Sequence, residues 1–391
     1  MGLGKDLWER LEGIDALILE GNSYANPNIH YMSGLLTSDG FIYINVGGEG
    51  VLLVNKLEKE RAGEKTRVEE VLAPEDLKPE KEGKDEARYK KKSLMIAQLL
   101  ESKGVNSGKI GITGRFPVDL YKELDKDYEV RVVENKVKEL RERKDGEEVQ
   151  EVKRAQEAAA SSIRKVKEIL SGAKTKEGAL VFKGEALTEG DLKKAILHEL
   201  VEWGCTAEDI IVASGSRSSI PHPRREDEKE LEAGKPIIVD VFPVRTSSRY
   251  HGDMTRTFVK GEVSGALKEM YRAVLEARET GLAKIKPGTK ASEVDDVVCE
   301  VFEKYGFSTH RKDERGPAFP HSTGHGVGLE VHERPHISDG SESELERGNV
   351  IAIEPGLYHP DVGGVRIEDV VVVQGGGHKV LTSMDTEMET V

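Results

Sequence analysis

The chain has 391 residues, enough for two domains that each bury a core of their own, and a formal net charge of −14. That balance argues against non-specific binding to nucleic acid or to anionic membrane surfaces, and says little about a small or peptide substrate. No apolar run reaches membrane-span length, the start lacks a signal-peptide core, and Asp6 breaks a myristoylation pattern. The two cysteines, Cys205 and Cys299, read as buried thiols rather than a disulfide framework. A reducing, cytoplasmic setting follows as the expectation, with no membrane and no nucleic-acid partner.

Residues 1 to about 140 alternate short apolar runs with helical spacing. Asp15–Glu20, Phe41–Asn45, Val51–Val54 and Lys109–Thr113 read as strands, and Tyr89–Lys103 as a helix stopped by Gly104. The run Leu77–Lys92, dense in Lys, Glu and Asp, reads as a solvated loop. No cluster of metal-ligand or nucleophile type occurs here, so a supporting or substrate-closing domain is expected. A charged stretch, Lys136–Glu148, then leads into a long helix with Val152, Ala155, Ala159, Ile163 and Val166 at its apolar positions. The domain boundary is placed there, dividing the chain into residues 1–140 and 141–391.

Beyond the boundary the order is helix, helix, strands, and then the same again. Thr188 and Ser292 open the second helix of each half, and Ala266–Lys286, closed by Pro287-Gly288, matches the long helix of the first. Two copies of one helix-plus-hairpin unit make a pseudo-twofold α/β (α+β) domain rather than a solenoid. The hairpins share a phrase: Leu231-Glu-Ala-Gly-Lys-Pro-Ile-Ile-Val-Asp240 and Leu345-Glu-Arg-Gly-Asn-Val-Ile-Ala-Ile-Glu354. Each is a Gly turn feeding a buried apolar strand that ends on a carboxylate. A second carboxylate follows, Asp253 after 13 residues in one copy and Glu368 after 14 in the other. Four converging carboxylates repel one another unless a cation sits among them, so the repeat points to a metal site.

Between the hairpins lies His321-Ser-Thr-Gly-His325-Gly-Val-Gly-Leu-Glu-Val-His332-Glu-Arg-Pro-His336. His222 precedes Asp240 by 18 residues and His336 precedes Glu354 by the same 18, each after a proline. Of 11 histidines, eight fall between 222 and 359, beside the paired acids. Four carboxylates with one imidazole suit two divalent ions, Mn²⁺ or Co²⁺ before Zn²⁺ or Fe²⁺. His332-Glu-Arg-Pro-His336 fits the H-E-x-x-H pattern of zinc proteases, but Pro335 would break the helix that pattern needs. No dinucleotide loop, phosphate loop or nucleophile elbow is present.

Together, Ile220-Pro-His-Pro, Asp240, Gly252-Asp-Met-Thr-Arg-Thr-Phe, Thr323-Gly-His-Gly-Val-Gly-Leu-Glu-Val-His-Glu, Ile353-Glu-Pro-Gly and Gly364-Val-Arg-Ile-Glu-Asp carry a resemblance. Residues from about 145 onward resemble the pita-bread catalytic domain of the methionine aminopeptidase, aminopeptidase P, prolidase and creatinase superfamily, closest to its Xaa-Pro peptidases. The front domain is similar to the creatinase-type N-terminal domain. The resemblance implies that Asp240 binds one metal, that His325 and Glu354 bind the other, and that Asp253 and Glu368 bridge the pair. It makes Glu354 a proton acceptor, puts His222 and His332 on the substrate and the tetrahedral intermediate, and lets His321 and Arg366 line the same pocket. Two departures stand out: Val241-Phe-Pro follows Asp240 where many relatives have a glycine, and strict alternation would set His325 and His332 on opposite faces. Either the glycines at 326 and 328 bend that strand or His332 lies past its end.

The resemblance implies metal-dependent hydrolysis of the peptide bond preceding proline, as an Xaa-Pro dipeptidase or an aminopeptidase P, in a homodimer acting on proline-containing peptides. A dipeptidase must also hold the substrate carboxylate, for which Arg334, His336 and Arg347 are candidates. Two alternatives are a non-catalytic pita-bread binding module, which would usually have lost metal ligands, and a family member with lyase-type chemistry.

Overall fold

Fully buried strands dictate the first unit. Ala16–Gly21 is an almost unbroken apolar run, as expected of a strand covered on both faces. It pairs antiparallel with Phe41–Val46 and parallel with Lys109–Ile112, at the centre of a six-stranded sheet. The computed structural model describes residues 3–77, 88–310, 318–381, 384–386 and 389–390. The chain divides into two compact units, Met1–Arg141 and Glu142–Val391.

In the first unit the expected strands form, and two more, Glu70–Leu72 and Glu129–Val132, complete the sheet at its edges. They escape a hydrophobicity reading because they are short and carry Glu70, Glu129 and Arg131, the charge that edge strands use to discourage further pairing. The Arg88–Ser102 helix packs Ile96, Leu99 and Leu100 against Ile18, Ile44 and Ile110. Of the charged run expected to be a loop, residues 78–87 lie outside the described residues. Leu77 joins the core and Arg88 already begins the helix.

The second unit opens with the Gly146–Gly172 helix, whose N-cap Asp145 and N3 residue Glu148 form a reciprocal capping box. Its apolar stripe and that of Glu189–Glu202, N-capped by Thr188, pack on the antiparallel pair Pro236–Val241 and Met254–Val259. A three-stranded meander from Lys174 to Ala186, not expected from the sequence, joins these helices. The second half repeats the plan. Gly265–Lys284 and Ala291–Lys304 pack beside Val350–Ile353 and Asp369–Gln374, which pair antiparallel. Here Ser292 is not the cap: the helix starts one residue earlier, after Lys290. The open ends of the two hairpins face a common cavity.

Candidate metal centre

In the first hairpin Asp240 pairs across the ladder with Thr255, and Asp253 immediately precedes the returning strand. In the second, Ile353 pairs with Asp369, so Glu354 and Glu368 stand one step past the ladder. Hydrogen bonds to backbone carbonyls stitch the two mouths together. Glu368 N–H donates to Thr255 O at 3.1 Å, and Arg256 Nη1 donates to Glu368 O at 2.6 Å. Gln156, on the long helix, clamps the Asp253 backbone from both sides: its Nε2 donates to Asp253 O at 2.8 Å and its Oε1 accepts from Asp253 N–H at 2.5 Å.

His325 arrives on the short strand Gly324–Gly326, opposite Ala352. The flanking glycines make the approach possible, since a Cβ at Gly324 would meet Ala352 O at 1.9 Å and one at Gly326 would meet Arg334 O at 2.2 Å. His325 Nε2 lies 3.5 Å from Asp253 Oδ2 and 3.5 Å from Glu354 Oε1. One ligand atom each from Asp253, His325 and Glu368 fall within 4.8 Å of one another.

The electrostatics are those of a site built for cations. Burial, followed by the charges of Glu368, Asp240 and Glu354, pushes the Asp253 carboxyl well above its usual range. Burial and the charges of Glu354 and Asp240 do the same to Glu368. Glu354 rises to about 8, chiefly through burial. His325 falls to about 4 through burial and the neighbouring His332, which keeps the imidazole in its neutral, ligating form. Asp240 Oδ1 and Glu368 Oε1 are buried with no hydrogen-bond partner among the described residues. Orphaned carboxylate oxygens at this depth are costly, and divalent cations would both satisfy them and return the carboxyls to their ionised state. Five such donors fit a divalent-metal centre.

A second network supports the first. Arg366 Nη2 donates to Asp240 Oδ2 at 2.6 Å, Nη1 to Tyr358 Oη at 2.7 Å and Nε to Thr255 Oγ1 at 3.2 Å. Tyr358 Oη is 2.9 Å from His321 Nε2, and His321 Nδ1 is 2.9 Å from Ser322 O. One tautomer satisfies the whole chain: Nδ1–H donates to the carbonyl and Nε2 accepts from the phenol. Burial, then Arg366, lowers His321 to about 3, and burial lifts Tyr358 to about 12. Arg366 and His321 thus line the cavity while their polar atoms are engaged within the protein.

The cavity of about 420 Å³ is lined by the five donors together with His222, Phe242, Val244, His251, His321, Val331, His332, His336 and Arg366. His332 lies beyond the Gly324–Gly326 strand, with its ring centroid 4.5 Å from that of His325. That position settles how two residues an odd number of places apart reach one cavity. Glu333–Ile337 is a strand, so the H-E-x-x-H helix does not exist. Of the three candidates for a substrate carboxylate, His336 alone is among the described residues lining the cavity; Arg334 Nε instead meets Glu142 Oε1 at 2.8 Å. Sequence reasoning missed Tyr358, Thr255 and Gln156. Thr255 sat inside a recognised motif, whereas Gln156 lies 97 residues from its partner and left no local signal.

Paired hairpins presenting buried carboxylates and a neutral imidazole to one cavity define a divalent-metal hydrolase of pita-bread architecture. Residues 150–375 match metallopeptidase family M24, and residues 8–143 match the creatinase/prolidase N-terminal domain. An "Xaa-Pro dipeptidase" of Pyrococcus horikoshii is 32% identical over 379 residues, 96% of this chain and 94% of that protein. The solved prolidase from Pyrococcus furiosus superposes with a TM-score of 0.77 at 29% identity, covering 98% of this chain and 100% of that one. The X-Pro aminopeptidase from Thermotoga maritima gives a TM-score of 0.77 at 26% identity, with 100% of both chains covered. The chain belongs to metallopeptidase family M24 and carries the creatinase/prolidase N-terminal domain ahead of its catalytic unit.

Proposed function

We propose that this protein hydrolyses the peptide bond preceding proline, with Xaa-Pro dipeptides as its substrates. The observation that carries the reading is the convergence of Asp240, Asp253, His325, Glu354 and Glu368 on one cavity, in a chain similar along nearly its whole length to an Xaa-Pro dipeptidase. Asp240 would hold one ion, His325 and Glu354 the second, and Asp253 and Glu368 both, with Mn²⁺ or Co²⁺ favoured over Zn²⁺ or Fe²⁺ by the oxygen-rich set. Divalent ions bound there supply positive charge that acidifies water and polarises a carbonyl.

The protein's own groups do the rest. Glu354, at the cavity and ionised once cations are bound, accepts the proton of the attacking water and passes it to the leaving nitrogen. His332, exposed at the cavity and close to His325, donates to the oxygen that gains charge in the tetrahedral intermediate. His222 holds the substrate from the facing rim, and His336 receives its carboxylate. Phe242, Val244 and Val331 supply apolar walls that suit a proline ring, whose nitrogen offers no hydrogen to bond. Arg366 and His321, with Tyr358, fix the floor on which Asp240 rests. We further infer a cytoplasmic setting from the two buried thiols and a homodimer from the family resemblance; no described helix is long and apolar enough to cross a membrane. The deciding experiment compares an Xaa-Pro dipeptide with an Xaa-Pro-containing pentapeptide, metal supplied. Faster cleavage of the dipeptide is expected; preference for the pentapeptide would make the enzyme an aminopeptidase, and inertness toward both would sink the reading.

A further inference from the structure

Asp295 and Cys299 stand four residues apart on the Ala291–Lys304 helix, so both side chains point from one face, a turn apart. Onto that face comes His310, placed by the Thr309–Phe319 bridge and by its own N–H donating to Phe319 O at 2.9 Å. His310 Nε2 is 3.3 Å from Asp295 Oδ2, Cys299 Sγ is 4.0 Å from that same oxygen, and the three donor atoms all lie within 4.8 Å of one another. Asp295 and Cys299 are buried, and the His310 side chain is 20% exposed.

We propose that Asp295, Cys299 and His310 form a third metal site, separate from the hairpin centre and selective for a thiophilic divalent cation such as zinc. Bond lengths for tetrahedral zinc imply a nitrogen–oxygen edge of about 3.4 Å and a sulfur–oxygen edge of about 3.6 Å. The first is already present and the second requires a shift of a few tenths of an ångström. Mixed sulfur, nitrogen and oxygen donors suit zinc over manganese, the opposite preference to the oxygen-rich hairpin site. With three protein ligands, the fourth position falls to solvent.

Position gives the site a consequence. Asp295 Oδ1 also accepts from Thr323 Oγ1 at 2.7 Å and from Thr323 N–H at 3.2 Å, and Thr323 O accepts the Glu354 N–H at 2.9 Å. A cation on the other Asp295 oxygen would therefore brace the segment that carries His325 and abuts Glu354.

Cobalt titration of the metal-stripped full chain tests this. The hairpin centre has no sulfur, so a sulfur-to-cobalt charge-transfer band in the near ultraviolet reports Cys205 or Cys299 alone. The band is expected in the wild type and in Cys205→Ser, and is expected to vanish in Cys299→Ser while the hairpin ions still bind. His310→Ala, at a less buried position, should weaken zinc binding at the third equivalent by more than the roughly 10–100-fold that outer-sphere partners are worth. Absence of the band in saturating cobalt, its survival in Cys299→Ser, or undiminished zinc affinity in His310→Ala would overturn the proposal. None of these outcomes depends on peptidase activity.

Discussion

Arg366 Nη2 sits 2.6 Å from Asp240 Oδ2 across 126 residues of sequence, and the same guanidinium holds Tyr358. Asp240 therefore has a countercharge hydrogen-bonded to it, whereas burial and like charges dominate at Asp253 and Glu368 and Arg366 offsets them only in part. Arg366→Met should destabilise the metal-free second unit by about 3–5 kcal/mol, the usual cost of stranding one partner of a buried pair. Urea unfolding in chelator measures it. The loss should shrink when metal is restored, because a cation then shares the Asp240 charge. An unchanged midpoint in chelator would mean that Asp240 does not depend on this arginine.

Glu368 has one oxygen held by Thr255 Oγ1 at 2.9 Å and the other buried without a hydrogen-bond partner among the described residues. Glu368→Ala should bind fewer than two ions per chain at the hairpin centre after dialysis and lose turnover. Retention of the full metal content would remove Glu368 from the donor set.

His332 touches the cavity without belonging to the five donors. His332→Ala should keep wild-type metal content and lose kcat by about 10²-fold or more, the scale of a lost oxyanion donor. Unaltered kcat would exclude this histidine from the chemistry.

Metal and protons compete at the centre, and the direction of that competition is set by burial. Glu354, raised from 4.5 to about 8, favours the folded metal-free protein below its unfolded value, and this stability is lost as pH climbs through about 8. Asp253 and Glu368 act in the same direction. His325, lowered from 6.5 to about 4, contributes stability present above its unfolded value and lost as pH falls through about 4. Metal binding needs ionised carboxylates and a neutral imidazole, so both classes release protons or resist gaining them. The rise in Tm on adding Mn²⁺ should accordingly grow between pH 5 and pH 8, by about several degrees if a few kcal/mol are involved. A rise that stays constant or shrinks over that interval contradicts carboxylate ligation.

Much of this was legible without coordinates because hydrophobic runs and chemically distinctive residues act locally. The apolar strands that end on Asp240 and Glu354 bury themselves wherever the chain goes, and a repeated phrase with matched carboxylates signals a cation before any distance is known. Edge strands such as Glu129–Val132 left no such mark, since their pairing is made by backbone groups that every residue carries. Only the tertiary structure decided that Arg366 neutralises Asp240, that Gln156 clamps Asp253, that His332 passes the end of its strand to reach His325, and that His310 meets Asp295 and Cys299. Those relationships join distant segments, and their energies come from burial and direction, quantities that exist only once the chain has folded.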